Sequence, residues 1–274
     1  KEDLPDNPEA NGFVMSAKKW WMTNPKAENK KNLPTGYYEQ TLLGKNLDWI
    51  RCYAQGLYTY VQEGKPVMSE YDDTLMAVDF LEPDIGLPIQ VGVDFGLTPA
   101  AIFGKKKKKG TWNILHELVT FDMGLERFGE MLKSELATKF PKFEVLVHGD
   151  PAGMKRDEIY EVTAFDHLRS IGLTARPTAS NDFRVRREAG AMPMNRLIEG
   201  KPGLLVDKRC QRLRKSLSGG YHFKRVQISG GERYRDAPNK NEHSHVGDAF
   251  MYLLLGGGEH RRLTRGNNNK FKQS

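Results

Sequence analysis

Ile89-Gln-Val-Gly-Val-Asp-Phe-Gly96 is the stretch on which the fold turns. Ile89, Val91 and Val93 alternate with Gln90, Gly92 and Asp94, the two-residue period of a strand, and Phe95-Gly96 ends it. Downstream, Ala100 to Phe103 and Thr111 to Val119 read as two more strands. A hairpin-like turn joins them, holding Gly104, the lysine run Lys105 to Lys109 and Gly110, and such a run reads as a solvated tip or a loop that brushes phosphate. Gly124 to Phe140 is an amphipathic helix with Leu125, Phe128, Met131, Leu132 and Leu136 on one face. Phe143 to His148 is a buried strand stopped by Gly149-Asp150-Pro151.

Beyond it the pattern gives a helix over Arg156 to Ser170, a strand over Leu173 to Arg176, and a helix over Val185 to Ile198. An extended piece, Leu204 to Val206, precedes a basic helix over Lys208 to Leu217 and a strand over Tyr221 to Ile228. A last helix, Ser244 to Leu255, stops at Gly256-Gly257-Gly258. Three strands in a meander followed by alternating helices and strands imply an α/β fold, a mixed sheet flanked by helices on both faces. That is the order of a ribonuclease H-like core.

Residues 1–66 lack this regularity. Pro5, Pro8, Pro25 and Pro34 interrupt long periodic elements, and only Asn46 to Tyr58 has helical spacing, in Leu47, Ile50, Ala54 and Leu57. Trp20, Trp21, Tyr37 and Tyr38 need a surface that so short a segment does not provide. Glu63 to Pro88 reads as a connector. The expected division is a tail and linker over 1–66 and one domain over 67–274.

Of the 274 residues, 38% are hydrophobic and 28% charged, which excludes a disordered or collagen-like chain. No apolar run approaches the ~20 residues of a membrane-spanning helix, so no membrane partner is expected. Cys52 and Cys210 are too few for a disulfide scaffold or a zinc ribbon, which fits a reducing compartment. Lys1 is not an initiator Met, so a longer parent chain is expected. The net charge of +7 is concentrated: residues 155–236 hold 18 basic and 10 acidic side chains, whereas the rest hold 24 and 25. Such a stretch is either the footprint of a polyanion binder or a solvated face.

Three aspartates stand where chemistry is expected. Asp94 and Asp150 end two strands, and the carboxyl ends of strands are where open α/β sheets bind ligands. Asp248 interrupts the final helix just before Ala-Phe-Met-Tyr-Leu-Leu-Leu, where a carboxylate is costly unless paired or metal-bound. Three adjacent carboxylates do not ionise together without a counter-charge. Mg²⁺ or Mn²⁺ suits such hard oxygen ligands, and two ions would serve phosphodiester hydrolysis. An Asp after a strand is equally a turn residue or a helix cap.

On these residues the chain resembles the large terminase subunit of tailed double-stranded DNA bacteriophages, in its C-terminal nuclease domain. The carrying stretches are Val91-Gly-Val-Asp-Phe-Gly96, His148-Gly-Asp-Pro-Ala-Gly153, Asn195 to Asp207 and Ser244-His-Val-Gly-Asp-Ala-Phe-Met-Tyr252. Leu33 to Glu39 and Trp49 to Gly64 are similar to that family's lead from motor to nuclease, which would make residues 1–66 the tail of an ATPase domain. The resemblance implies an endonuclease cutting concatemeric viral DNA during genome packaging in the bacterial host cytoplasm. Asp94, Asp150 and Asp248 would be the catalytic and metal-binding set. A small terminase subunit and a portal protein would be partners besides double-stranded DNA. No G-x-x-x-x-G-K-[ST] loop occurs, so ATP hydrolysis is not assigned to this chain.

His148, His245 and Glu117 are candidates to support the carboxylates, each with a plainer reading as a packing or capping residue. Arg184, Arg186, Arg187, Lys208, Arg209, Arg212, Lys224 and Arg225 are candidates for DNA phosphates. Three other readings compete. A Holliday-junction resolvase uses similar carboxylates; an actin-like or sugar-kinase ATPase has a loop similar to Val91 to Thr98 but needs a duplicated core; a non-catalytic DNA-docking module would use the acids only as caps.

Overall fold

The computed structural model describes residues 14–15, 22–23, 64–96, 98–154, 162–226 and 233–259. Contacts divide the chain into two units, Lys1–Glu63 and Gly64–Ser274. In the first, β1 (Val14–Met15) pairs antiparallel with β2 (Met22–Thr23). The helix expected over Asn46 to Tyr58, the aromatic cluster and Cys52 lie outside the described residues.

The second unit begins with β3 (Gly64–Pro66), a single-turn helix α1 (Asp73–Met76) and β4 (Ala77–Val78). The expected meander follows as β5 (Ile89–Asp94), β6 (Ala100–Lys106) and β7 (Trp112–Val119). Then come α2 (Leu125–Lys139), β8 (Val145–Gly149), a 3₁₀ turn at Pro151–Met154, α3 (Ala164–Ser170) and β9 (Ala175–Pro177). Helix α4 (Phe183–Ala191) leads to a small hairpin of β10 (Leu197–Ile198) and β11 (Lys201–Pro202), then β12 (Leu204–Asp207). Helix α5 (Gln211–Lys215), a π turn at Ser216–Gly220, β13 (His222–Val226), β14 (Arg233–Tyr234) and α6 (Ser244–Gly256) complete it.

Seven strands form one sheet in the order β4-β12-β7-β6-β5-β8-β9. Strand β6 runs antiparallel to β5 and β7, and the other pairings are parallel. This is the mixed sheet expected from the element order, with the ribonuclease H-like arrangement in its five strands β7-β6-β5-β8-β9. Both faces are covered, as the unbroken apolar run in β6 requires. Ala100 and Ile102 face a core shared with Leu213, Ala249 and Leu253, whereas Ala101 and Phe103 face one shared with Phe128, Leu132 and Phe165.

Alternation also aims the acids. Ile89, Val91 and Val93 point to the α2–α3 side, so Gln90, Gly92 and Asp94 point to the α6 side. Gly92 lets α6 approach, since a Cβ there would lie 2.1 Å from the Ala249 carbonyl oxygen and 2.3 Å from the Leu253 nitrogen. On β8, Val147 belongs to the α2–α3 core, and His148 meets Gly256 of α6. Asp150, two residues on, continues on that face.

Several expectations are corrected. The connector supplies β3, which pairs with β13, and the edge strand β4. The lysine run is not wholly a solvated tip: β6 continues through Lys106, and Lys105 is 1% exposed with Nζ 4.3 Å from the centre of the Phe143 ring. Helix α4 stops at Ala191, seven residues early, because the chain turns there into the β10–β11 hairpin. The basic helix is reduced to Gln211–Lys215 and merges into the π turn, in which Gly219 takes a positive φ of 116°.

Candidate active site

Asp94 and Asp150 leave adjacent parallel strands side by side, because the β5–β8 register pairs Val93 with Gly149. Parallel neighbours are about 4.8 Å apart. The exit of β8 is fixed by Phe95, whose ring would lie 2.5 Å from a Cβ at Gly149 and 2.7 Å from one at Gly153. Phe95 in turn meets Phe165 edge-on at 5.1 Å. Asp150 Oδ1 accepts from the Ala152 amide at 2.9 Å, which closes the turn after the strand.

Helix α6 supplies the rest. Asp248, Tyr252 and Gly256 recur every four residues, so they form one stripe along the helix. Burial raises the Tyr252 hydroxyl pKa well above its ordinary value; Arg186 opposes this, and the charge and hydrogen bond of Asp150 add to it. One turn earlier, His245 Nδ1 lies 2.9 Å from Asp94 Oδ2. Burial pushes the Asp94 carboxyl upward, His245 pulls it down, and the charge of Asp248 adds to the rise; the outcome is a raised pKa. His245 is raised in turn, chiefly by its bond to Asp94.

Asp248 is the most heavily engaged acid. Oδ1 accepts from Arg186 Nη1 at 3.0 Å and from the Tyr221 hydroxyl at 3.3 Å, and Oδ2 accepts from Lys240 Nζ. The donor chemistry of Asp94 and Asp150, carboxylates at the ends of adjacent strands, fits Mg²⁺ or Mn²⁺, and a dication would relieve the repulsion that Asp94 feels from Asp248. In the arrangement described, Asp248 is neutralised by protein cations. Among the described residues no three His, Cys, Asp or Glu side chains are grouped closely enough to hold an ion.

The supporting candidates separate. His245 reaches Asp94, but His148 does not reach Asp150. Its Nε2 lies 3.0 Å from Gln90 Oε1, and burial, with Arg176 beside it, lowers its pKa to about 4. Glu117 is corrected outright: its carboxylate accepts from the Arg212 and Leu213 amides at 2.9 and 2.8 Å, capping α5. Cys210 precedes that helix without a side-chain cap, so the acid comes from β7 instead.

Of the phosphate candidates, Arg186 is buried against Asp248 and is withdrawn from the DNA face. Arg187 is held by Glu70 at 2.6 Å and by the Val67 carbonyl, and Arg209 is forked onto buried Asp207 at 2.8 and 2.7 Å. Lys208 pairs with exposed Asp79 at 2.8 Å. Arg184, Arg212, Lys224 and Arg225 are exposed. Lys240, Tyr221 and Tyr252 were not legible as site residues. A signal existed for Arg186, since Arg186 and Ala189-Gly190 share the buried stripe of α4, with Phe183 partly buried on the same side.

No protein-family model matches the chain, and no curated protein matches it in sequence. Solved structures do. The nuclease domain of the P22 large terminase superposes with a TM-score of 0.53 at 12% identity, over 72% of this chain and 94% of that one. The large terminase of the thermophilic bacteriophage D6E gives 0.51 at 16% identity, over 81% of this chain and 52% of that one. The chain thus spans about half the length of the D6E protein. At such identities the likeness is one of fold. With its strand order and acid-bearing strand ends, the second unit has the ribonuclease H-like α/β fold of phage large terminase nuclease domains.

Proposed function

We propose that the chain is a divalent-metal-dependent endonuclease acting on double-stranded DNA, the nuclease part of a phage large terminase. The reading is supported by the adjacent ends of β5 and β8, which carry Asp94 and Asp150, and by Asp248 of α6, whose charge is felt at Asp94, on a fold shared with terminase nucleases. Asp94 and Asp150 would hold Mg²⁺ or Mn²⁺, with Asp248 joining once Lys240 withdraws. Such an ion supplies activation of water and neutralisation of charge at a phosphodiester. His245 holds Asp94 in place and keeps a proton close to it. Arg186 and Tyr221 fix the Asp248 carboxylate, and nearby His243 is lowered by burial and by Lys215, with Glu242 opposing.

Exposed Arg184, Arg212, Lys224 and Arg225 are the contacts proposed for phosphate, and none of them implies base reading. The biological setting that follows is cutting of concatemeric viral DNA during packaging, with a small terminase subunit and a portal protein as partners, in the host cytoplasm. The ATPase would reside elsewhere in the parent protein. Plasmid cleavage with Mn²⁺ tests the reading. Asp150→Ala is expected to abolish cutting while retaining DNA binding, and full activity in that variant would overturn it.

A further inference from the structure

Phe121 is an unexpected residue to find at the surface. It is 50% exposed, two residues past the end of β7, with the Arg212 guanidinium 4.7 Å above its ring. Strand register places it near the acids: Val119 pairs with Ala100, which pairs with Asp94. Two strand spacings, about 10 Å, therefore separate the end of β7 from Asp94. That is the reach of one or two nucleotides from a phosphate held between the carboxylates.

Arg212 is arranged to serve an anion. Its backbone is fixed by Glu117, its guanidinium face rests on a ring, and among the described residues no carboxylate lies within ion-pair distance of its side chain. A stacked guanidinium keeps its in-plane N–H groups free for a phosphate fork. Burial lowers His243 at the start of α6; Lys215 and, more weakly, Arg212 add to this while Glu242 opposes it, so the charge of Arg212 is felt at that helix start. An exposed ring beside an exposed guanidinium that makes no side-chain ion pair among the described residues, near the proposed cutting site, matches the stacking platforms that grip unpaired nucleotides. The nearby Phe80–Arg209 pair lacks the second half of this arrangement, because Asp207 already neutralises Arg209.

We propose that Phe121 and Arg212 form a subsite for an unpaired nucleotide flanking the scissile phosphate, Phe121 stacking its base and Arg212 holding its phosphate. The subsite rests on the nuclease reading, and it narrows the substrate to DNA whose strand is unstacked beside the cut.

The test uses the whole chain and oligonucleotides carrying 2-aminopurine, followed by anisotropy and by quenching of the base. Phe121→Ala is expected to weaken single-stranded binding about 5- to 100-fold and to abolish quenching, as loss of one stacked base would. Phe121→Trp should restore both, and blunt-duplex affinity should change much less. Unchanged single-strand affinity in Phe121→Ala, or an equal loss on blunt duplex, would overturn the proposal while the nuclease reading stands. Phe121-dependent quenching in a wild-type chain that cuts no DNA with Mn²⁺ would instead remove the nuclease reading and leave a binding subsite. Saturable binding of an acidic peptide through Phe121, with no DNA binding, would overturn both.

Discussion

Arg186 Nη1 lies 3.0 Å from Asp248 Oδ1, and the two side chains are only 8% and 3% exposed. A charge pair so deeply buried is held by its geometry, because without Arg186 the Asp248 carboxylate would keep only the Tyr221 hydroxyl and the largely exposed Lys240 as partners. The Arg186 guanidinium also lies 4.6 Å from the centre of the Tyr252 ring, on the residue that reaches Asp150. One arginine thereby links two of the three acids. Arg186→Met is expected to cost about 3 kcal/mol, a fall in Tm of about 6–12 °C for a unit of this size. Adding Asp248→Asn should recover most of it. A double variant as unstable as Arg186→Met, by thermal melting, would show that the arginine acts through packing alone.

Lys240 is the other cation on Asp248, but its side chain is 65% exposed. Asp248 is buried but keeps Arg186 and Tyr221 when the lysine is removed, so Lys240→Ala should cost no more than about 1 kcal/mol and shift the melting temperature little. Its effect belongs to Oδ2, which an incoming ion would have to share. Removing the competitor should tighten Mn²⁺ binding by up to about 5-fold, the equivalent of that 1 kcal/mol. Calorimetric titration of the apo protein measures this directly. Weaker Mn²⁺ binding in Lys240→Ala would mean that the lysine supports the site instead of closing it.

Glu117 separates structural from chemical use of a carboxylate. Truncation to Ala removes both acceptors from the first turn of α5 and should cost about 1–2 kcal/mol, as loss of a helix cap does. Mn²⁺-dependent cleavage should persist at a temperature where the variant stays folded. A stable but inactive Glu117→Ala protein would return the residue to the candidates that support the carboxylates.

The contrast between Glu117 and Asp94 shows what was legible in the sequence. Strand period and terminating Gly or Pro placed Asp94 and Asp150 at strand ends, because those signals are local and both strands are buried in the α2–α3 core. Cap partners are not local: Glu117 meets Arg212 across 95 positions. Strand β4 has two residues and no periodicity, and exists only because β12 offers it an edge. By charge, Lys105 reads as part of a solvated or phosphate-brushing tip and Arg186 as a DNA contact, yet their long stems let a charged head end on Phe143 or on Asp248. Position on the buried stripe, rather than residue type, decided both.

Glu259 gives the clearest pH dependence, and it lies outside the acid cluster. It is fully buried beneath the start of β7, bound by Trp112 Nε1 at 2.8 Å, Arg196 at 2.7 Å and Lys106 at 2.8 Å. Burial alone would raise its pKa, but Arg196, Lys106 and Trp112 together bring it down to about 2. A carboxyl lowered in the folded state adds stability above its unfolded value of about 4.5, and loses that contribution as pH falls toward 2. Glu259→Gln should therefore be less stable than wild type by about 3 kcal/mol at pH 7. The gap should narrow steadily below pH 4.5, because wild type gives up the ionised state that the variant never had. Denaturant unfolding at pH 7, 4 and 3 measures it, and a gap that stays constant across that range would show that the cluster is held by shape instead of charge.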